Sequence, residues 1–319
     1  MRIGIVYNFP ASQGYELMVK EIEKILKDEG YTVILIPVSE GFLEKIKDVD
    51  FIFNLFTQGK ETRQILIPSL CDFLEIPYTG ANAYTHSLCL NKALTKIVLQ
   101  YYKIPTPPFL LIPPDEKIPE NIPLSFPLFV KPNREGSGKG IRKESLVRNK
   151  EELRYMVDYI HKEFQEEALI EEFIEGKEIS VGILGNKEDL EILPLLEIDF
   201  SKLPENIERF YSKRVKEEFG EKTKYFCPAR LDKNIEERIK NIAKSIFIYL
   251  GLRDFARIDM RVRGEEIFVL DVNSLPLLIP NYSDIVKMAE AKGYSYKDLI
   301  LKIFNSAESK AFPGLIRKI

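Results

Sequence analysis

Residues 130–140 read Val-Lys-Pro-Asn-Arg-Glu-Gly-Ser-Gly-Lys-Gly, at the end of an apolar strand predicted over Phe126–Lys131. Three glycines alternate with Ser137 and Lys139. Glycines have no side chains to block an approach, so the backbone N–H groups of such a loop can converge on an anion such as a phosphate. A plain flexible hairpin loop explains the same glycines equally well. The stretch becomes informative through what precedes and follows it.

Two lysines stand where they can reach a phosphate. Lys92 opens a predicted helix, and Lys131 closes the strand just before Pro132. A lysine at the carboxyl end of a strand, beside a glycine loop, can contact a phosphate as a point charge. One lysine in a lysine-rich chain is ordinarily a solvated side chain, and both interpretations stay open here.

An acidic segment follows at 171–178, reading Glu-Glu-Phe-Ile-Glu-Gly-Lys-Glu. Its carboxylates can accept hydrogen bonds from an adenine amino group and from the two hydroxyls of a ribose. Charged residues also protect a strand edge against aggregation, which is the alternative.

Two strands later in the chain carry oxygen ligands. Asp259 lies in the first strand, and Asp271 and Asn273 lie two positions apart in the second, so these two share a face. If the strands pair through a turn at 263–264, the three side chains meet. Carboxylate and amide oxygens suit Mg²⁺. A solvated polar hairpin is the alternative, but the apolar context Ile-Phe-Val-Leu-Asp-Val-Asn favours the metal.

The order of these motifs resembles the ATP-grasp superfamily over residues 90–305, and within it the D-alanine–D-alanine ligase family over nearly the whole chain. Further matching stretches are Pro77–Gly80, Asn91-Lys92, Ile170-Glu171, Tyr225–Ala229, Arg257–Asp259, Asp271–Pro276 and Ala291–Tyr296. The resemblance implies an ATP-dependent carboxylate–amine ligase that forms an amide through an acyl phosphate. It also implies D-alanine as substrate, peptidoglycan precursor synthesis and a homodimer.

The resemblance also implies a role for each motif. Lys92 and Lys131 hold the ATP phosphates beneath the loop with Ser137 and Gly138. On the nucleoside side of the site, the resemblance places Glu171, Glu172 and the backbone near Ile174 next to adenine, and Glu178 next to the ribose.

For the reaction itself, Asp259, Asp271 and Asn273 hold two Mg²⁺, with Mn²⁺ as an alternative. Asp271 replaces the family's usual glutamate, so the second ion is expected to bind more weakly. The implied catalytic residues are Arg257 at the oxyanion, Ser137 in the loop and Lys213 at the γ-phosphate.

Three departures concern the amino-acid side of the site. The family's Ser-x-Glu after the first strand is replaced by Pro10-Ala11-Ser12-Gln13, with Glu16 out of register. Its His-Gly is replaced within residues 54–59, and its Pro-Gly by Pro276-Leu277-Leu278. These changes suggest a different acyl substrate. The competing hypotheses are a ligase of another amino acid or peptide carboxylate, and a nucleotide-binding protein without turnover.

Apolar strands alternate with amphipathic helices in the first third, which predicts a doubly wound parallel α/β domain at 1–91. Two α+β subdomains of an ATP-grasp fold are expected at 92–177 and 178–319.

Within 319 residues, Lys plus Arg number 46 and Asp plus Glu 49, giving a formal net charge of 46 − 49 = −3. No basic excess supports nucleic-acid binding, and no apolar run approaches the ~18 residues of a membrane span. Three scattered cysteines and no signal segment predict a cytoplasmic protein.

Overall fold

The computed structural model describes residues 1–57, 61–204, 207–220 and 222–311, apart from the side chains of 61, 62, 188, 213, 216 and 217. Its strands are β1 (Arg2–Tyr7), β2 (Thr32–Pro37), β3 (Phe51–Asn54), β4 (Phe109–Ile112), β5 (Leu128–Pro132), β6 (Leu146–Val147), β7 (Ala168–Glu172), β8 (Lys177–Gly185), β9 (Glu191–Ile192), β10 (Leu196–Asp199), β11 (Lys224–Phe226), β12 (Asp254–Arg263) and β13 (Glu266–Asn273). Its α-helices are α1 (Gln13–Asp28), α2 (Phe42–Ile46), α3 (Glu61–Gln64), α4 (Leu66–Leu74), α5 (Ala83–Leu90), α6 (Lys92–Tyr101), α7 (Lys150–Phe164), α8 (Lys213–Glu218), α9 (Lys233–Tyr249), α10 (Asp284–Ala291) and α11 (Tyr296–Ala311).

The first sheet is parallel, in the order β2-β1-β3. Its strands are nearly continuous apolar runs because both faces are covered. Helices α1 and α11 pack on one face, where Phe304 contacts Phe51 edge-on at a centroid distance of 5.1 Å. Helices α2 and α4 pack on the other face, over Val6 and Ile52. The doubly wound start that the sequence predicts is therefore observed.

The second sheet is antiparallel, in the order β4-β7-β5-β6, and α7 covers it. Strand β5 ends in Lys131-Pro132, and its neighbour β7 ends in Glu171-Glu172. The register pairs Lys131 with Leu169 and Phe129 with Glu171. The two motifs of the sequence are thus adjacent on one sheet.

The third sheet is antiparallel with the path β11-β10-β8-β12-β13, and β9 pairs with β8. Helix α9 packs on one face through Ile239, Ala243 and Ile246. Helix α10 contributes to the core on the other side, where its Met288 sulfur accepts the N–H of Gly182. The hairpin β12–β13 pairs Asp259 directly with Asp271, as the sequence reading requires.

Several segments differ from what their sequence patterns suggest. The pattern over 88–102 is helical throughout, but two helices form there, because the Asn91 side chain accepts the N–H of Leu94 and restarts the helix. The segment 104–127, whose prolines suggest a stiff connection, contains β4. The polar stretch 201–221 contains α8, and the segment 191–198 forms two strands, β9 and β10. The domain limits 1–91, 92–177 and 178–319 stay a prediction.

Candidate active site

A cleft of about 270 Å³ is lined by residues of the second and third sheets and the segments around them. Every site residue predicted from the sequence lines it except Lys213. Lys213 begins α8, and its side chain lies outside the described part of the chain. The predicted residues that line the cleft are Lys92, Lys131, Ser137, Gly138, Glu171, Glu172, Ile174, Glu178, Arg257, Asp259, Asp271 and Asn273.

The carboxylate of Glu171 is the centre of a buried charge cluster. It pairs with Lys131 at 2.8 Å and with Lys96 at 2.5 Å, and all three side chains are at most 7% exposed. Burial alone would raise the pKa of Glu171, but the two lysines outweigh it and hold the pKa below its usual range. Glu171, which was expected to bind adenine, is therefore ionised, and in the structure its carboxylate holds Lys96 and Lys131 in position.

Lys96 was missed by the sequence reasoning. It lies one helical turn after Lys92 on α6, and its ammonium also donates to Thr106 Oγ1 at 2.6 Å. Burial lowers its pKa. The available signal was the i, i+4 spacing of the two lysines on one helix.

Lys92 lies at the base of the glycine loop. Its ammonium donates to the carbonyl of Glu135 at 2.6 Å, and burial lowers its pKa. The loop itself needs backbone conformations that favour glycine: φ is +73° at Gly138 and +74° at Gly140. At Gly140 a Cβ would also collide with the ring of Pro132. The loop is thus held tightly against the end of β5, beside Lys92 and Lys131.

The carboxylate of Asp259 collects four donors. Arg257 donates to both of its oxygens, at 2.9 and 2.8 Å, and Ser180 Oγ donates to Oδ1 at 2.7 Å. Asn273 Nδ2 donates to Oδ2 at 2.9 Å. Asp259 is therefore fixed in the cleft as a carboxylate.

The residues expected to hold Mg²⁺ fit that ion by the chemistry of their donors. Asp259 and Asp271 are opposite each other in the β12–β13 register, and Asn273 contributes an amide oxygen once its Nδ2 is bonded to Asp259. These are hard oxygen ligands of the kind Mg²⁺ prefers. In the described residues no cluster of three or more His, Cys, Asp or Glu side chains offers an alternative metal site.

Arg257 lies between two carboxylates. Besides Asp259, it has Asp284 at 3.9 Å, and Asp284 also accepts a hydrogen bond from Lys287 at 3.2 Å. These carboxylates outweigh the cost of burial and raise the pKa of Arg257, which stays charged. Asp284 begins α10 and was not singled out from the sequence.

The end of the cleft that is expected to hold the nucleoside, called the nucleoside end below, is aromatic. Phe129, Phe173 and Phe210 line it, and the rings of Phe129 and Phe210 meet edge-on at a centroid distance of 5.0 Å. Glu178 lies beside them, and Arg261 donates to its Oε2 at 2.7 Å. Arg261 was also missed. The signal was the alternation Arg257-x-Asp259-x-Arg261, which puts three charges on one face of an apolar strand.

A second cavity of about 300 Å³ adjoins the cleft and shares Thr57, Gln64, Leu90, Gly136, Ser137 and Leu277 with it. Its other lining residues are Asn8, Pro10, Ala11, Ser12, Tyr15 and Lys139. No carboxylate appears in the described lining; residues 58–60 and the Glu61 side chain lie outside the description. Of the two leucines that follow Pro276, Leu277 lines both cavities, whereas Leu278 is fully buried in the core.

Comparison with known proteins agrees with this geometry. The family model "D-ala D-ala ligase C-terminus" matches residues 98–305. A D-alanine–D-alanine ligase of Carboxydothermus hydrogenoformans is 32% identical over 317 residues, covering 95% of this chain and 97% of the relative. One of Pelotomaculum thermopropionicum is 30% identical, covering 96% of both. The chain belongs to the D-alanine–D-alanine ligase family.

A solved structure supports the same placement. The D-alanine–D-alanine ligase of Bacillus anthracis, complexed with ATP, superposes with a TM-score of 0.80 at 26% identity and 98% coverage of both chains. The ATP-grasp fold that the sequence predicts is confirmed. The charged residues line a cleft, which agrees with a family whose substrates are small molecules. The helices of the described residues include none long and apolar enough to cross a membrane.

Proposed function

We propose that this chain is an ATP-dependent carboxylate–amine ligase whose reaction takes place in the cleft between Lys131 and Arg257. One observation carries the proposal: two buried lysines, a glycine loop and the side chains of Asp259, Asp271 and Asn273 line a single cavity. A carboxylate oxygen attacks the γ-phosphorus of ATP and ADP leaves. The neutral amine of a second substrate then attacks the acyl carbon, the bond between that carbon and the phosphate oxygen breaks, and the proton that the amine loses leaves with the phosphate.

The side chains present in the cleft suit both steps by positioning and by neutralising charge. Lys131 and Lys92 bring positive charge beside the glycine loop, where the ATP phosphates bind. Arg257, on β12 of the third sheet, donates hydrogen bonds to the oxyanion that develops at the acyl carbon. Neither lysine nor arginine needs to move a proton for these roles.

Asp259, Asp271 and Asn273 would hold Mg²⁺ at the phosphate end of the cleft. When bound, the ion supplies neutralisation of the charge on the β- and γ-phosphate oxygens. To bind Asp259 the ion would displace one of its four donors, since Arg257, Ser180 and Asn273 already occupy both oxygens of that carboxylate. The shorter side chain of Asp271 is consistent with a weaker second ion.

The proposal extends to the identity of the two substrates that the ligase joins. The relatives are named D-alanine–D-alanine ligases, which makes D-alanine the first pair to test. The described lining of the second cavity contains no carboxylate, which favours another amino acid or peptide carboxylate as the acyl substrate. Phosphate release should be measured with MgATP over a matrix of amino-acid and dipeptide pairs. Turnover with one pair supports a ligase, and tight MgATP binding without phosphate release from any pair contradicts it.

We further propose a homodimer in the cytoplasm. An exposed aromatic face supports the dimer: Tyr101 is 80% exposed, and Tyr102 stacks on Tyr249 at 4.1 Å. Light scattering on the protein and on Tyr101→Lys tests it. A monomeric wild-type protein would contradict the dimer, and a dimeric variant would place the interface elsewhere.

A further inference from the structure

Arg261 is buried at the nucleoside end of the cleft and holds three segments together. Its Nη2 donates to Glu178 Oε2 at 2.7 Å and to the carbonyl of Arg209 at 3.3 Å. Its Nη1 donates to the carbonyls of Ile174 and Gly176 at 3.3 and 3.4 Å. A single guanidinium thus joins the β7–β8 connection, strand β8 and the segment before α8.

The position of Arg261 is fixed by the sheet and by packing. It lies directly opposite Glu178 in the β12–β8 register, and only 4% of its surface is exposed. Its guanidinium lies over the ring of Phe173, 5.2 Å from the centroid. At Gly176 there is no room for a Cβ against the carbonyl of Val262, so the connection is packed onto β12 beside Arg261. These contacts leave the guanidinium little freedom.

The fixed position of Arg261 also restrains the Glu178 carboxylate, to which it donates a hydrogen bond. Glu178 lines the cleft, and its charge-assisted bond to Arg261 fixes both the rotamer and the plane of its carboxyl group. A fixed carboxylate distinguishes a ligand hydroxyl from a hydrogen, because only the hydroxyl can donate to it. A carboxylate free to turn toward water discriminates less, since it finds other donors when the hydroxyl is missing.

We propose that Arg261 is a positioning residue that determines selection for the ribose of the nucleotide by holding Glu178 toward the sugar hydroxyls. The inference rests on the proposed binding of ATP in this cleft. It concerns only the sugar, so nucleotide binding as such does not depend on it. Arg261 itself does not touch the reacting phosphate.

Calorimetry with ATP, 2′-deoxyATP and 3′-deoxyATP, each with Mg²⁺ and without amino acid, tests the inference. For the wild type we expect ATP to bind about tenfold or more tightly than at least one deoxynucleotide, as for loss of one charge-assisted hydrogen bond. For Arg261→Met that ratio should fall to about twofold or less, and Arg261→Lys should lie between the two. Glu178→Gln should also lower the ratio of ATP affinity to deoxynucleotide affinity. The double variant Glu178→Gln, Arg261→Met should have the same ratio as Arg261→Met alone.

Arg263→Met is the matched control, because Arg263 lies two positions along on the same strand but is exposed and pairs with Glu266. It should keep the wild-type ratio. Melting temperatures separate lost folding from lost selection, and Arg261→Lys keeps the test available if Arg261→Met is unstable. Equal binding of all three nucleotides by the wild type, or an unchanged ratio in both Arg261 variants, overturns the inference while leaving the ligase proposal intact. A wild type that binds no ATP overturns both.

Discussion

The two ends of the active-site cleft are built differently. At the phosphate end, charges are buried in pairs: Lys131 and Lys96 share Glu171, and Arg257 is bound to Asp259. At the amino-acid end, the described lining of the second cavity is neutral except for Lys139, which is exposed. A buried charge is stable only when it is paired, so the phosphate end is rigid in advance of its ligand. The amino-acid end has no such constraint and can change with the substrate.

The largest effect is expected from removing a charge at the rigid end. Asp259→Asn should reduce turnover on the order of a thousandfold or more, because the metal ligand and the partner of Arg257 are lost together. The fold should persist, since Asp259 lies on the cleft face of β12. Phosphate release and thermal melting measure the two outcomes.

Asp298→Asn is the control for that variant, because this carboxylate is exposed at the start of α11 and bonds only locally to Ser295. It should leave both readouts unchanged. Full activity of Asp259→Asn with normal melting would remove the metal assignment.

The next effect concerns ATP affinity. Lys131→Ala should weaken ATP binding by about 1.5–3 kcal/mol, about 10- to 150-fold, as one charged phosphate contact disappears. Calorimetry measures it. Lys139→Ala is the control, since this lysine is in the same loop region but more than half exposed. Affinity within about twofold of wild type for Lys131→Ala would mean that the lysine serves only Glu171.

The neutral end leads to a prediction about D-alanine. Its ammonium group needs a buried acceptor, and Asn8, Ser12 and Gln64 offer neutral groups instead. We expect a first-site Michaelis constant for D-alanine well above ~1 mM, the upper end of ordinary values, or no dipeptide at all. Steady-state kinetics with D-alanine as the only amino acid measures it. Efficient dipeptide formation below 1 mM would show that an acceptor outside the described lining restores the site.

The same contrast explains what the sequence could predict. Motifs at the phosphate end are short and lie in predicted strands, and the resemblance of their order to a known family placed Lys131, Glu171 and Asp259 in one site. Sequence patterns also mark Lys96 and Arg261, but their contacts, Lys96 with β7 and Arg261 with β8, join separate elements, and only the folded chain shows them. Helix α11 is a similar case, because its packing on Phe51 at the far end of the chain leaves no local signal.

Asn91 shows a different limit. Its neighbours 88–102 have continuous helical periodicity, so the break depends on one side chain that accepts the Leu94 N–H while accepting a second bond from Asn133. Asn133 follows β5, far along the chain. A tertiary contact therefore decides where α6 begins, and with it the position of Lys92.

The smallest expected effect concerns Leu277 and Leu278, which sequence reasoning treated alike and the structure separates. Leu277 lines both cavities, so Leu277→Gly should widen their connection and change the Michaelis constant of the acyl substrate by less than about tenfold. Its loss of stability should be smaller than that of Leu278→Ala, since Leu277 is only partly buried against the core. Leu278 is fully buried, so Leu278→Ala should cost about 2–5 kcal/mol of unfolding free energy and leave substrate preference unchanged. Kinetics over the substrate matrix and denaturant unfolding, both on the two variants, test the distinction. Two outcomes would contradict this distinction: a change of substrate preference in Leu278→Ala, or a stability loss of several kcal/mol in Leu277→Gly. Either would show that this loop couples the two ends of the cleft. The amino-acid end would then be as constrained as the phosphate end.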